Sequence, residues 1–384
     1  MKVGILQNYV GIDGRTRVLV EMASVLNERG ITPVVHCLGD PAPAEKVART
    51  FGVKADFELR VHSSIDFRRG NLYKCLLLNR LAAQELRDYD LILNGNNCLQ
   101  FLPTDPAWIH YIHFPLAANF NFKMEYGKST AFRLYSAPAM AVLKFVPGKV
   151  GHRAIVVGNS NFTADVIADT EDIPRDAVGT LYPPVSPPDE PIRAEREDLC
   201  VSLGTFSPPK RQMEQIEFAR RFPEVRFVLM GNSNYDPKYF AACEEAAAEL
   251  PNVSLLGSAP WPEVEENLCR ARWFVHSTRH EPFGISPVEA MLRGCIPLAH
   301  DSGGVRETVP LAELRYSDLD DLATKFEASR LRDEEELRAQ LVAHAQQFTP
   351  KFFRPQFATL LDRVLETPGP GPSTSRPDPT ALTV

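Results

Sequence analysis

The residues with the clearest potential for chemistry follow a strand-like run, Trp273–His276. They form the turn His280-Glu281-Pro282-Phe283-Gly284-Ile285, and Ser286-Pro287 after it has the composition of a helix start, since serine is a preferred N-cap and proline a preferred first helical residue. A strand, a glycine turn and a helix N-terminus in succession direct free backbone N–H groups at one point. The pattern predicts an anion site suited to a diphosphate, flanked by Glu281 and Glu289.

Glu289 has two interpretations. Ser286-x-x-Glu289 is the sequence of a capping box, in which the glutamate bonds back to the backbone of the N-cap residue. Taken alone, this spacing favours capping; the nearby Glu281 favours a ligand contact, and one side chain could serve both. A second glycine turn, Asp301-Ser302-Gly303-Gly304, follows the next strand-like run and is predicted to line the same pocket.

Lys210 is the candidate cation for this anion site. It closes the stretch Val201-Ser-Leu-Gly-Thr205-Phe-Ser-Pro-Pro-Lys210, in which a strand-like run leads into a loop. An isolated lysine is usually an ordinary surface residue. Its position after a strand of a parallel sheet places it where ligands bind in such sheets, and this is what raises it to a candidate.

Two series of strands and helices position these residues. In the first half, Val3–Leu6, a helical pattern over 18–26 that stops at Gly30, and Val34–Cys37 form a βαβ unit. Three further strand-like runs of this half are Leu91–Leu93, Trp108–Ile112 and Ala154–Val157. In the second half the strand-like runs are Leu199–Leu203, Arg226–Met230, Val253–Leu256, Trp273–His276 and Ile296–Ala299, separated by helical patterns at Met213–Arg221, Tyr239–Leu250 and Val288–Arg293.

The series are separated by a proline-rich segment. Five prolines (183, 184, 187, 188 and 191) fall within nine residues, and proline suits neither a central strand nor a helix interior. We predict an α/β protein of two Rossmann-like, doubly wound domains facing a cleft. The predicted domains are an N-terminal Rossmann-like domain at 1–182, a hinge at 183–197, a C-terminal Rossmann-like domain at 198–349, a C-terminal helix at 350–366 of undetermined packing side, and a disordered tail at 367–384.

Composition excludes several classes of protein. The chain has 384 residues and a net charge of −7, so no overall basic field points to nucleic acid. Its seven cysteines form no C-x-x-C pair, which favours reduced, mostly buried thiols and a cytoplasmic protein. No apolar run approaches the roughly 18 residues that span a bilayer. We expect a cytoplasmic protein, either free or bound to the membrane surface.

The motifs together resemble a known family. Glu281-Pro-Phe-Gly-Ile-Ser-Pro-Val-Glu289-Ala-Met is similar to the E-x7-E signature of family-4 retaining glycosyltransferases of the GT-B fold, continued by a Gly-Gly turn and Glu307. The stretch ending in Lys210 resembles the loop that carries the family's diphosphate-binding lysine, and Asn159–Thr163 and Leu181–Val185 resemble segments before the hinge. Two short stretches, Tyr-Ile-His-Phe-Pro and Tyr-Pro-Pro-Val, are most similar to mannosyltransferases that extend lipid-linked glycans.

The resemblance implies a role for each candidate. Lys210 would neutralise the donor diphosphate, Glu289 would bind the ribose hydroxyls, and Glu281 would lie beside the transferring sugar. His113 would bind a sugar hydroxyl or the acceptor. Backbone amides holding the departing phosphate would be those near Phe283, Gly284, Ile285 and Ser286. Fixed donors and a lysine suit this reaction, because negative charge develops on the leaving diphosphate.

Two positions depart from the family's pattern. Thr205 stands where many members carry an arginine, and Arg211 is the expected substitute. The first loop, Val10-Gly11-Ile-Asp-Gly14-Arg15, replaces the family's Gly-Gly pair; Gly11 and Gly14 remain, while Ile12 and Asp13 change the loop that approaches donor or acceptor.

No motif supports a metal site. His276 and His280 have the i, i+4 spacing of a zinc pair only if both lie on a helix, and the first ends a strand-like run. Asp88-Tyr-Asp90 is a D-x-D sequence, which metal-dependent transferases of another fold use, but here it precedes a strand and suits a solvated strand entry. We expect metal-independent donor binding without a cofactor; the nucleotide sugar is a co-substrate.

The stretch Phe114–Arg153 has a local charge of +5 and interleaved aromatic residues. It is either the solvated face of ordinary helices or a surface that docks on anionic lipid and presents a lipid-linked acceptor.

The sequence therefore predicts a hexosyltransferase that moves a sugar from a GDP- or UDP-sugar to a glycan, lipid-linked or small-molecule acceptor with retention of configuration. The alternatives are a nucleotide-sugar 2-epimerase of the same fold and a non-catalytic nucleotide-sugar-binding module. We expect no nucleic-acid partner.

Overall fold

Two parallel β-sheets form the framework of the protein. The structure is a computed structural model that describes residues 1–64, 71–118, 130–146, 148–189, 191–331 and 334–367. The first sheet has the strand order β3-β2-β1-β4-β5-β6-β7 and the second β10-β9-β8-β11-β12-β13. Their strands are β1 Val3–Leu6, β2 Val34–Cys37, β3 Glu58–Val61, β4 Leu91–Asn94, β5 Ala107–Ile112, β6 Ala154–Gly158, β7 Val178–Thr180, β8 Glu197–Leu203, β9 Arg226–Gly231, β10 Val253–Gly257, β11 Ala271–His276, β12 Ile296–His300 and β13 Arg315–Tyr316.

Helices connect most successive strands, as is usual for parallel pairing, while β4 and β5 are joined by a segment without a helix. They are α1 Gly14–Glu28, α2 Ala44–Phe51, α3 Asn71–Ala82, α4 Thr130–Phe145, α5 Asn161–Glu171, α6 Gln212–Arg220, α7 Pro237–Ala247, α8 Trp261–Arg270, α9 Ile285–Leu292, α10 Val305–Thr308, α11 Leu319–Arg330, α12 Glu334–Ala345 and α13 Pro350–Glu366. The predicted α/β fold class with two doubly wound sheets is confirmed.

Most of the strands that sequence patterning finds are buried. All ten predicted runs correspond to strands; most are covered on both faces and are therefore continuous apolar runs, whereas β10 is partly exposed. Three strands give no such signal. The residues of β3 are mostly exposed, and β7 and β13 contain only three and two residues.

The chain separates into two compact units. One contains Met1–Ile112, Ala139–Val157 and Gln356–Val384, and the other contains His113–Pro138 and Gly158–Pro355. This division differs from the predicted domain limits, because residues 158–182 group with the second unit and the C-terminal half of α13 with the first. An Arg29–Asp362 ion pair of 2.7 Å joins the end of α1 to the C-terminal half of α13 within the first unit. Residues 181–189 form no helix or strand, as proline predicts.

Aromatic packing stabilises the second sheet. Phe326 of α11 lies 4.8 Å from the ring of Trp273 on β11 and 5.3 Å from that of Phe218 on α6. Six of the seven cysteines are buried and all are free thiols. Among the described residues, no helix is long and apolar enough to cross a membrane. The tail predicted to be disordered lies outside the described residues beyond Thr367.

Candidate functional site

The loops after β8 and β11 bring Lys210 and Glu281 together. These neighbouring strands are the point at which the order of the second sheet reverses, since β9 lies on one side of β8 and β11 on the other. Ligands of such sheets bind outside the carboxyl ends of the strands at this point. The Lys210 Nζ atom lies 2.6 Å from Oε2 of Glu281, and the two side chains are 31% and 18% exposed. The pair is therefore partly buried but still accessible to a ligand from solvent.

The electrostatics of Glu281 keep it ionised. Burial alone would raise its pKa, but the Lys210 ammonium and the neighbouring His276 outweigh burial and hold the pKa well below its usual range. The Nε2 atom of His276 lies 3.6 Å from Oε2 of Glu281, beyond hydrogen-bond length. Burial lowers the pKa of His276, so its ring is predominantly neutral near pH 7. The lysine is therefore the main counter-charge of this carboxylate.

Hydrogen bonds from Ser277, directly after β11, hold the backbone of the Lys210 loop in place. Residues Pro208–Lys210 form a single 3₁₀ turn. The Ser277 hydroxyl, one residue past β11, donates to the Lys210 carbonyl at 2.8 Å and accepts from the Gln215 amide at 2.6 Å. Ser277 and Gln215 were not predicted from sequence, because the hydrogen bonds join segments about sixty residues apart.

Arg211 and Thr205 are placed differently from Lys210. The Arg211 guanidinium pairs with the Glu214 carboxylate one turn along. Its backbone has a φ of 58°, in the left-handed region, between the Pro208–Lys210 turn and α6. The Thr205 carbonyl accepts from the Gln212 side chain at 3.0 Å. Thr205 lies in the loop after β8 as predicted, and the charge of Arg211 is already paired.

The predicted helix start at Ser286 is wrong. Helix α9 begins at Ile285, and the cap position is taken by Gly284 with a φ of 96°. Glycine tolerates this left-handed conformation. The helix therefore begins two residues earlier than the preferences of serine and proline indicate. Ser286 and Glu289 are then the second and fifth helical residues, and the capping box does not form. No side chain of the described residues caps α9, so the N–H groups of Ile285 and Ser286 remain available to an anion, while Pro287 has no N–H.

Phe283 belongs to the hydrophobic core. Its ring is buried against Tyr182 and Phe348, at centroid distances of 5.9 and 5.3 Å. If Phe283 contacts a bound nucleotide sugar, its backbone rather than its ring makes that contact. Ile285, Ser286 and Glu289 are all partly buried on α9.

Gly303 and Gly304 lie directly against the Glu281 turn. Gly304 donates its N–H to the Glu281 carbonyl at 2.8 Å. A Cβ atom at Gly304 would lie 2.1 Å from the Pro282 carbonyl oxygen, and Gly303 has a φ of 69°. No other residue type permits this approach without a shift of backbone. The second glycine turn therefore lies directly against the first, and that it lines the same pocket stays a prediction.

The first-loop candidates lie in the other unit. Gly11 donates its N–H to Thr16 Oγ1 at 3.2 Å, and a Cβ there would overlap the Tyr9 ring. Gly14 is the first residue of α1, which Asp13 caps by accepting from the Thr16 N–H at 2.8 Å. Asp13 therefore has a structural task at this position. His113 follows directly after β5 and groups with the second unit.

Asp88 and Asp90 lie at the amino ends of the first sheet's strands. The Asp90 carboxylate accepts from the backbone N–H of Lys2 at 2.7 Å, just before β1 and β4 begin. Ligands of parallel sheets bind at the opposite, carboxyl edge. The pair is a solvated strand entry, as its sequence context indicates.

One cluster of metal-ligating side chains was missed by sequence analysis. His36, His62 and Glu85 place nitrogen and oxygen atoms within 4.8 Å of one another in the first unit. Both ring nitrogens of His36 already have hydrogen-bond partners at 2.8 Å, namely His62 and the Tyr89 hydroxyl, and Glu85 pairs with Arg60. Hydrogen bonds and an ion pair therefore explain this cluster.

Sequence models of two families match the chain. The model described as Glycosyltransferase Family 4 matches residues 12–187, and that described as Glycosyl transferases group 1 matches residues 188–348. A GDP-Man:Man(3)GlcNAc(2)-PP-Dol alpha-1,2-mannosyltransferase of Mus musculus is 30% identical over 181 residues, 42% of this chain. The match spans 37% of that relative, little more than a third of its length. An alpha-1,3/1,6-mannosyltransferase of Neurospora crassa is 26% identical over 93% of this chain and 88% of its own.

Solved structures share the fold across nearly the whole chain. WaaG, a glycosyltransferase involved in lipopolysaccharide biosynthesis, has a TM-score of 0.67 at 15% identity and covers 94% of this chain and 99% of its own. Sucrose-phosphate synthase from Thermosynechococcus elongatus has a TM-score of 0.69 at 16% identity and covers 95% and 99%. At these identities the likeness establishes the architecture alone.

Proposed function

This chain belongs to the family-4 glycosyltransferases of the GT-B fold, and from that premise we propose that it transfers a hexose from a nucleotide-diphosphate sugar to a glycan or lipid-linked acceptor. GDP-mannose is the donor that the activity of the mouse relative favours. The same relative acts on a pyrophosphate-linked lipid carrier, which favours a lipid-linked acceptor over a small molecule. The transfer retains the anomeric configuration, as the resemblance implies.

The observation that carries this proposal is the Lys210–Glu281 pair beside the uncapped start of α9. An ammonium group has three N–H donors, and Glu281 uses one, so Lys210 can bind a phosphate without releasing its partner. The first-turn amides of α9 follow Glu281 after three residues and supply further fixed donors. Both features stabilise negative charge on a departing diphosphate, where charge develops during glycosyl transfer.

The remaining residues take roles around this pair. Glu281, held ionised, accepts hydrogen bonds from hydroxyls of the transferring sugar or supports its developing positive charge. Glu289, one helical turn further along α9, accepts from the ribose hydroxyls. His113 binds a sugar hydroxyl or the acceptor. The glycine turn at Gly303 and Gly304 fixes the backbone of Glu281 rather than the ligand.

A nucleotide-sugar panel tests the function. We expect GDP-mannose or another GDP- or UDP-sugar to raise the melting temperature, because a ligand at about 100 times its Kd adds about 2.7 kcal/mol to stability. A transferase then needs an acceptor for turnover. Conversion of donor alone to an epimer would establish the 2-epimerase instead, and binding without turnover on glycan or lipid-linked acceptors would establish a non-catalytic module.

Donor binding and turnover should survive chelation. Lysine and helix amides supply the positive charge that a metal supplies in other transferases, so we expect equal rates with EDTA and with added Mg²⁺ or Mn²⁺. Loss of activity in EDTA with recovery on adding metal would disprove the metal-independent mechanism. Asp88 and Asp90 would then be the first carboxylates to replace.

A basic, apolar part of the chain favours a peripheral membrane contact. On α4, the side chains of Leu134 and Phe145 are 72% and 74% exposed, and Arg133, Lys144 and Lys149 are exposed on or just after this helix. Lys123 and Lys128 of the same predicted surface lie outside the described residues. Exposed apolar residues beside basic ones suit insertion at the surface of an anionic bilayer.

We expect salt-sensitive binding to phosphatidylserine vesicles, at about 1 kcal/mol per basic residue near the surface. Co-sedimentation at low and high salt, with phosphatidylcholine vesicles as the neutral comparison, measures it. Lys144→Glu and Phe145→Ser should each reduce binding. Leu331→Ser, which removes an equally exposed leucine at the end of α11, should not. Absence of binding at low salt would leave only the solvated-face interpretation.

A further inference from the structure

The Glu307 carboxylate binds the start of a helix that lies far from it in sequence. Its Oε2 atom accepts from the Asn161 N–H at 2.8 Å and from the Asn161 side-chain amide at 3.0 Å. Its Oε1 atom accepts from the Phe162 N–H at 2.8 Å. The Tyr182 hydroxyl adds a further bond at 2.9 Å. Glu307 thus satisfies two of the amides that the N-terminus of α5 leaves without intrahelical partners.

The same helix start holds the Glu281 turn. Ser160 is the N-cap of α5: its hydroxyl accepts from the Thr163 N–H at 2.9 Å and donates to the Pro282 carbonyl. The Thr163 hydroxyl donates to that carbonyl as well, at 3.3 Å. Ser160 and Thr163 are buried, so water does not compete readily for these bonds.

Two carbonyls of the turn are therefore held from both sides. The Glu281 carbonyl accepts from Gly304, three residues before Glu307, and the Pro282 carbonyl accepts from α5. Among the described residues, Glu307 is the one that belongs to the glycine turn with α10 and also bonds the start of α5. Its side chain closes a ring of contacts made of the Glu281 turn, the glycine turn with α10, and the start of α5.

We propose that Glu307 is a positioning residue of the donor site, which fixes the Glu281–Gly284 backbone by holding the start of α5 against it. This role rests on the proposed function for its effect on turnover, but the positioning itself is independent of any ligand. Glu307 touches neither Lys210 nor the side chain of Glu281 directly; it acts through Ser160, Thr163 and the Pro282 carbonyl.

Amide hydrogen exchange of Glu307→Gln tests the positioning without a ligand. Glutamine keeps the size but offers one acceptor oxygen, and its NH₂ group faces a backbone donor, so it cannot bind both α5 amides. We expect exchange to become about 10-fold faster or more in two separate stretches, 160–165 and 281–292, the second of which includes the hydrogen-bonded amides of α9. The matched control is Glu266→Gln, which removes an exposed ion pair with Arg193 and should leave both stretches unchanged.

The pattern of the two stretches decides the proposal. Faster exchange at 160–165 alone would show that Glu307 only caps α5, and would overturn the inference. Ser160→Ala removes the shorter of the two hydroxyl bonds to the Pro282 carbonyl and leaves the Glu307 bonds intact, so it should also speed exchange at 281–292. If Glu307→Gln fails to fold, the exchange measurement is made on Ser160→Ala instead. When Thr163→Val is added to Ser160→Ala, both hydroxyls that bond the Pro282 carbonyl are gone, and unchanged exchange at 281–292 would then equally overturn the inference.

Kinetics provide the functional readout. If both residues act on one turn, Glu307→Gln and Ser160→Ala should each lower kcat more than they raise KM, and the double variant should lose no more kcat/KM than the worse single variant. Multiplicative losses that follow the folded fraction would show a merely structural role. A wild-type protein that neither binds GDP or UDP nor turns over would refute the proposed function, while the exchange result would still decide the positioning.

Discussion

Lys210→Ala should weaken nucleoside-diphosphate binding by about 10- to 150-fold, because a hydrogen bond to a charged group contributes about 1.5–3 kcal/mol. The structure makes the upper end the expected one. The substitution removes the cation and also leaves the Glu281 carboxylate, 2.6 Å from the lost ammonium, as an unpaired negative charge beside the phosphates. Calorimetric titration with GDP and UDP measures the change; unaltered affinity would remove Lys210 from the site.

Stability provides a second readout for this variant. Removing one partner of a buried ion pair costs about 3–5 kcal/mol, and we expect about 1–2 kcal/mol because both side chains are partly exposed. Glu281→Gln in the same chain removes the stranded charge and should recover most of the stability but not the affinity. Lys325→Ala breaks the Lys325–Asp321 pair of the same unit and should leave the affinity unchanged.

The pH dependence of this stability loss follows from the Glu281 carboxyl. In the wild type its pKa lies below the usual range, so the pair stabilises the fold at neutral pH and the contribution is lost as the pH falls through that lowered pKa. Without Lys210, burial dominates and raises the pKa of Glu281, so protonation relieves the variant. The melting-temperature deficit should therefore be larger at pH 7 than near pH 4.5. A deficit that grows on acidification would contradict this account.

Glu289→Gln should lower kcat/KM by about 10- to 150-fold with little change in melting temperature. A neutral amide accepts more weakly than a carboxylate, and charge-assisted hydrogen bonds are about twice as strong as neutral ones. The structure also changes the expectation for alanine: because α9 begins at Ile285, Glu289 is past the capping positions. Glu289→Ala should then keep its stability too, since alanine is a good helix former.

Two comparisons separate the ribose role of Glu289 from a structural one. Ser286→Ala should not show the loss of about 1 kcal/mol that removal of an N-cap serine causes, since Gly284 is the cap. Glu266→Gln, an exposed glutamate on the neighbouring helix, should retain full turnover. Near wild-type kcat/KM in a well-folded Glu289→Gln would refute the donor-binding role.

Sequence patterning found the buried strands and the site loops because both depend on local composition. Val3–Leu6 and Val34–Cys37 match their strands residue for residue, since an apolar run bounded by polar residues has one stable placement in a two-sided sheet. Lys210 and Glu281 were identified by their position after strands. Sequence patterning did not predict edge strand β3, because its solvent-exposed residues resemble those of a loop.

The sequence alone determined the fold class, which follows from short-range patterns of apolar residues, glycine and proline, and its motifs resembled the family whose models match the chain. Only the tertiary structure decided what those residues contact. It paired Lys210 with Glu281 and Arg211 with Glu214, moved the helix start from Ser286 to Ile285, and brought Glu307 to the start of α5. The physical reason is that the Lys210–Glu281 and Glu307–Asn161 contacts join residues 71 and 146 positions apart, and such contacts are set by strand order and packing rather than by neighbours in the chain.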